Sequence, residues 1–139
     1  MENQQSASLR IQGTVLLISL IVQYALGMYV NLFVAFPDGI QGGGAWEFSW
    51  RQPALATHIV LGILLLIGSI VFLIRVLVSK SATWKYPAIG GLVGILLAGF
   101  AGATFIPSQT DAYSYIMSLA FLIAFGAYAR GLFSARSAA

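Results

Sequence analysis

P-A-L-A-T-H-I-V-L-G-I-L-L-L-I-G-S-I-V-F-L-I, residues 53–74, holds the chain's one histidine, His58, inside an otherwise apolar run. About 20 residues without a full charge are enough to cross the roughly 30 Å hydrocarbon core of a bilayer as a helix. The stretch therefore predicts a membrane span and places an imidazole in or near lipid. Such a group is costly at that depth unless it meets a hydrogen-bond partner, a water-filled cavity or a metal, so its position alone makes it a functional-site candidate.

The rest of the chain has the same character. Of 139 residues, 59% are hydrophobic and 8% charged, and the mean hydropathy is +0.89. A water-soluble domain of this size has too little interior to hide so much apolar surface. The composition describes a small integral membrane protein, a single domain over residues 1–139, with the lipid bilayer as its first partner. The net charge of +3 does not indicate nucleic acid, because the basic residues are scattered at the ends of apolar runs and form no patch. With no cysteine there is no disulfide framework, thiol nucleophile, iron-sulfur cluster or thiolate metal site.

Outward from residues 53–74, the hydropathy predicts four spans at about 11–36, 54–75, 87–106 and 112–133. Residues 1–9 are polar and expected to fray. The run 11–36 exceeds the 7 to 15 residue core of a secretory signal and reads as a retained helix. Along it Ser19, Gln23, Gly27 and Asn31 recur every four residues and fall on one face, suited to a bundle interior. Pro37 ends this helix, and residues 38–52 read as the longest loop, flexible at Gly42, Gly43 and Gly44. Its alternating Trp46, Phe48 and Trp50 suit a rim at headgroup level that folds over the mouth of the bundle.

Pro87 is expected in the first turn of the third helix. That helix carries Gly90, Gly94, Ala98 and Gly102 on one row and Gly91, Gly99 and Ala103 close beside it. Such rows let helices pack closely in lipid or leave room for a flat cofactor. A tight turn at 107–111 leads to the fourth helix, which contains Ser114, Met117, Ser118 and Gly126.

The fold class that follows is all-α: an integral membrane four-helix bundle, antiparallel and up-down-up-down. Alternating loops collect Arg10, Arg75, Lys80, Lys85, Arg130 and Arg136 on one side and leave Arg51 with Asp38, Glu47 and Asp111 on the other, so six of seven basic residues share a face. By the positive-inside rule both termini are cytoplasmic, and the location is the inner (plasma) membrane.

His58 is five residues after Pro53, which at about 1.5 Å per residue puts it roughly 7 to 8 Å below the outer helix end. Asn31, Thr104, Ser114 and Met117 are at comparable depth on the other helices. No paired carboxylates, nucleophilic triad or three-ligand zinc cluster can be assembled from this set, so a catalyst acting alone is not expected. A haem asks for less: one imidazole, a thioether as second axial ligand, and small residues beside the ring. Gly62 lies one turn beyond His58 and clears that turn for a porphyrin. The cofactor-binding set would then be His58, Met117, Asn31, Gly62, Gly27 and Gly102, with His58 and Met117 on the metal. The residues leave a plainer alternative open, in which His58 hydrogen-bonds Asn31 across helices, Met117 fills space and the glycine rows are packing.

V-Q-Y-A-L-G-M-Y-V-N, residues 22–31, resembles the Q-x-x-L-G-x-x-V-R helix that opens each half of haem A synthase-like membrane proteins. The helix bearing His58 is similar to that family's histidine-bearing second helix, and G-L-V-G-I-L-L-A-G-F-A-G-A-T to its glycine-containing third. Y-I-M-S-L-A-F-L-I-A-F resembles its fourth helix, with Met117 standing where a histidine is expected. The likeness spans nearly the whole chain as one four-helix half, and implies ligands on the second and fourth helices. Asn31 in place of arginine, and the missing glutamate and external cysteine pair, depart from the family and make oxidation of a haem methyl group unexpected.

Two functions follow. One is a small membrane protein binding a single haem b through His58, with Met117 or nothing as the sixth ligand, for electron transfer or haem handling near the outer face. The other is a cofactor-free accessory or assembly subunit of a larger membrane complex, of respiratory type, whose glycine rows meet membrane-protein partners or further copies of itself. Neither involves nucleic acid.

Overall fold

The computed structural model describes residues 2–37 and 39–137, with the side chains of residues 2, 3, 136 and 137 outside the description. Met1, Asp38 in the first loop and the Arg136 side chain therefore lie outside the described residues. Among those described there are five helices: α1 (Glu2–Phe33), α2 (Gly43–Arg51), α3 (Pro53–Val78), α4 (Ala82–Ser108) and α5 (Asp111–Ser137). Four of them, α1, α3, α4 and α5, are long and apolar enough to cross a membrane. In hydrocarbon every backbone N–H and C=O must be satisfied internally, and a continuous helix does so within one segment.

The long helices close a ring of contacts, α1 on α3, α3 on α4, α4 on α5 and α5 on α1, with α4 and α5 the most extensively packed pair. Side chains from all four meet in one core: Leu9, Leu16 and Leu20 of α1, Leu65, Phe72 and Val76 of α3, Trp84, Ala88 and Ile95 of α4, and Ala124 and Tyr128 of α5. Trp84 is its centrepiece. Its indole stands edge-on to Phe72 at 5.2 Å between ring centroids, and Phe72 is edge-on to Tyr128 at 5.9 Å. Room for the indole comes from two glycines. A Cβ on Gly13 would approach it to 2.6 Å and one on Gly131 to 2.4 Å.

Outside the core the surface is apolar. Ile11, Leu64, Phe100 and Leu122 are all more than half exposed. Water-soluble monomers rarely show a contiguous apolar patch beyond a few hundred Å², so a multi-pass membrane arrangement accounts for this surface.

The glycine row of α4 is filled by α5. A Cβ on Gly94 would come within 2.7 Å of the Ala124 backbone nitrogen and 2.8 Å of the Ala120 carbonyl oxygen, and one on Gly90 within 3.2 Å of the Ala127 methyl. Backbone approaches backbone here because no side chain intervenes, the arrangement that gives dispersion its full value in lipid.

Several expectations need correction. Residues 2–10 are helical, and Leu9 belongs to the core at 3% exposure, so the N-terminal stretch is tied down by packing. The third long helix starts at Ala82, a turn and a half before Pro87. Pro87 is tolerated there because the carbonyl it displaces, that of Thr83, lies in the first turn.

The expected loop 38–52 contains α2. Gly42, at φ 60°, makes the turn into it, and Ala45 and Ser49, one helical turn apart, are both fully buried against α3 and α4. The alternation of Trp46, Phe48 and Trp50 is thus read out at helical angles. Phe48 packs on Phe36, which also meets Phe105, while Trp50 stays half exposed. The Gln109 side-chain amide donates to the Ile40 carbonyl, tying this segment to the end of α4. Gln52, extended as residues before proline prefer, separates α2 from α3.

Candidate functional site

His58 lies five residues into α3, and its ring is directed at α1. There it meets Gly27: a Cβ on that glycine would be 2.8 Å from the imidazole Cε1. Four residues earlier on α1, the Gln23 amide reaches back to α3. Its Nε2 is 3.3 Å from His58 Nε2 and donates to the His58 carbonyl oxygen at 3.0 Å. The amide in turn lies over Gly62, whose Cβ, if present, would be 3.2 Å from Nε2. The contact is reciprocal: α3's imidazole occupies a glycine notch on α1, and α1's amide occupies a glycine notch on α3.

An NH2 group has two N–H donors and no acceptor. The amide thus spans two groups of one residue, the His58 carbonyl oxygen and the ring Nε2. Two atoms are left over, His58 Nδ1 and Gln23 Oε1, both buried without a hydrogen-bond partner.

The remaining polar residues of the layer are spent elsewhere. Asn31, the partner that the sequence made available to His58, instead accepts a hydrogen bond from Ser114 Oγ at 3.1 Å, joining α1 to α5. Nearby, Tyr24 of α1 stacks on Phe121 of α5 with centroids 4.5 Å apart. Thr104 donates to the Phe100 carbonyl and Ser118 to that of Ser114, each within its own helix. Met117 of α5 turns to α4, where its sulfur would be 3.2 Å from a Cβ on Gly102.

This arrangement can be set against a haem held between His58 and Met117. Axial ligands must converge on one iron from opposite sides of a plane. His58 is committed to α1 and Met117 to α4, on separate faces of the bundle. Each glycine expected to make room for the macrocycle is filled by a side chain of the protein itself: Gly27 by the His58 ring, Gly62 by the Gln23 amide and Gly102 by the Met117 thioether. The Nε2 atom faces an amide donor. As placed, the residues do not fit a bis-axial haem. Among the described residues there is also no group of three or more His, Cys, Asp or Glu side chains that could hold a metal ion.

Gln23 is the residue missing from the sequence-derived set. Its signal was present in the four-residue stripe with Gly27, which marked it as facing the bundle interior without naming its partner. The register of α1 against α3, which brings Gln23 level with His58, is a tertiary property. No known protein family, curated protein or solved structure matches this chain.

Proposed function

We propose that this chain is a cofactor-free accessory or assembly subunit of a larger membrane complex, with His58 acting as an interhelical lock. The observation that carries this reading is the reciprocal notch: Gln23 occupies His58 Nε2, and both glycines that would admit a ligand are filled. In lipid such polar contacts hold helices in register where apolar burial gives no drive for association. The bundle is antiparallel, up-down-up-down, with both termini on the cytoplasmic face of the inner membrane. The clustering of six of seven basic residues at the termini-bearing side of the sequence supports that orientation.

The partner helix would be received by α4. Gly99 and Ala103, one turn apart, are both exposed, and nothing lies within 4 Å of the Cβ position of Gly99. This small-residue face can seat a further helix, from another subunit or a second copy of the chain.

An absorbance spectrum of freshly purified, detergent-solubilised protein tests the first half of the proposal. Colourless protein is expected. A Soret band that shifts on reduction and disappears in His58→Ala would overturn it in favour of a haem b protein. For the second half, a photocrosslinker at position 99 should give a discrete higher-mass adduct in native membranes. One at lipid-exposed Leu64 should not, and equal labelling at both would remove the support for a partner on α4.

A further inference from the structure

At the end of the bundle opposite α2, no ion pair among the described residues neutralises the basic side chains. Arg10, Arg75, Lys80, Lys85 and Arg130 lie at the ends of spans there, against one acid in the sequence, Glu2. The one ion pair among the described residues, Arg51 with Glu47 at 2.6 Å, is at the other end.

Arg75 differs from the other four. Its guanidinium is held by two neutral acceptors from α1, Gln12 Oε1 and Ser8 Oγ, each at 2.7 Å. These contacts orient the group without cancelling its charge, and they use two of its five N–H donors. Beside it runs a groove of about 190 Å³ lined by Gln5, Leu9, Ile74, Arg75 and Val78. With a water's share of liquid volume at about 30 Å³, the groove has room for a group several times that size. Its chemistry is split, with a fixed cation and an amide at the polar edge, Leu9 and Ile74 on the side toward the span, and Val78 at the outer end.

We propose that this groove binds the headgroup of an anionic phospholipid. The phosphate oxygens would take the remaining guanidinium donors, for which Arg's planar fork is well matched. The glycerol and first acyl carbons would lie along Ile74, on the span side of Arg75. The position supports a lipid over a soluble ligand: Arg75 is near the end of the α3 span, at headgroup level, and Val78 beyond it is 76% exposed. Charge complementarity selects an anionic headgroup over a zwitterionic one, because among the described residues that line the groove there is no carboxylate to meet a choline. This inference is independent of the role given to His58.

Native mass spectrometry of the detergent-solubilised full chain, offered equal amounts of phosphatidylglycerol and phosphatidylcholine, tests the proposal. The wild type should retain phosphatidylglycerol at least five-fold over phosphatidylcholine. Arg75→Gln should bring that ratio near one, and Arg130→Gln, outside the groove, should leave it within two-fold of wild type. Val78→Trp, which fills the groove while keeping the cation, should also lower it several-fold. That variant keeps the test decisive if Arg75→Gln does not fold.

Equal preference in wild type and Val78→Trp would overturn the proposal, as would equal losses in Arg75→Gln and Arg130→Gln, which mark diffuse charge attraction. A final arm adds inorganic phosphate to protein in phosphatidylcholine micelles. Thermal stabilisation by millimolar phosphate that vanishes in Arg75→Gln would identify a free-phosphate site and overturn the lipid assignment.

Discussion

Replacing Gln23 and His58 with leucine, singly and together, measures the contact on which the structural reading of the histidine depends. In Gln23→Leu both amide contacts are lost, and the ring Nε2 is left without its partner. Stranding a buried polar atom costs about 1 to 3 kcal/mol. In His58→Leu the ring bond is lost and the packing over Gly27 changes, but the bond from Gln23 to the residue-58 backbone carbonyl survives. The coupling energy of a double-mutant cycle therefore isolates one interaction, the 3.3 Å contact between amide and ring.

Interhelical side-chain hydrogen bonds in membrane proteins average about 0.6 kcal/mol and reach about 1.7 kcal/mol. The cycle should fall in that interval, with the double variant more stable than the sum of the single losses predicts. Unfolding by titration with sodium dodecyl sulfate in mixed micelles, followed by far-ultraviolet circular dichroism, gives the four stabilities. A coupling within about 0.3 kcal/mol of zero is simple additivity, and it would mean that the two side chains are neighbours without being partners, leaving the imidazole free for another ligand.

Three further outcomes follow from the packing. Gly94→Ala forces a methyl against the α5 backbone at 2.7 to 2.8 Å, so overpacking of about 1 to 3 kcal/mol should outweigh the helix-propensity gain, whereas Gly99→Ala, with open space, should hold stability or raise it by up to about 1 kcal/mol; the same detergent titration distinguishes them, and equal effects would refute the α4–α5 register. Trp84→Ala empties the centre of the core and should cost about 3 to 5 kcal/mol, visible as a fall in thermal midpoint, while a change below about 1 kcal/mol would show that the indole is not buried among all four helices. Glu47→Gln breaks an ion pair whose side chains are 65% and 78% exposed; stability should change by less than about 1 kcal/mol, as for other surface pairs, and a larger loss would mean that α2 is held by this pair and not by Ala45 and Ser49.

The spans were legible because lipid imposes a strong rule: a long uncharged run must become a helix, and hydropathy alone finds it. The Gly90, Gly94 and Gly102 row was also readable as a packing surface, since four-residue spacing puts small residues on one face. Helix α2 was not. Residues 43–51 are rich in glycine and polar groups, and they are helical because Ala45 and Ser49 can be buried one turn apart on α3 and α4, a tertiary contact overriding weak local preference. Leu9 was misplaced for a similar reason, an apolar residue in a polar stretch whose burial depends on the core that all four long helices assemble.

At His58, the sequence determined that a lone imidazole sits a few ångströms inside a span and that any partner must come from another helix. Rotation and axial register decided which helix. They turned the ring toward α1 and gave it Gln23, turned Asn31 toward Ser114, and set Met117 on α4. The physical reason is that hydropathy specifies how deep a residue lies but not the azimuth at which its helix faces its neighbours. Azimuth is set by which notch each large side chain can fill, and the glycines at 27, 62 and 102 are matched to His58, Gln23 and Met117 only once the four helices are assembled.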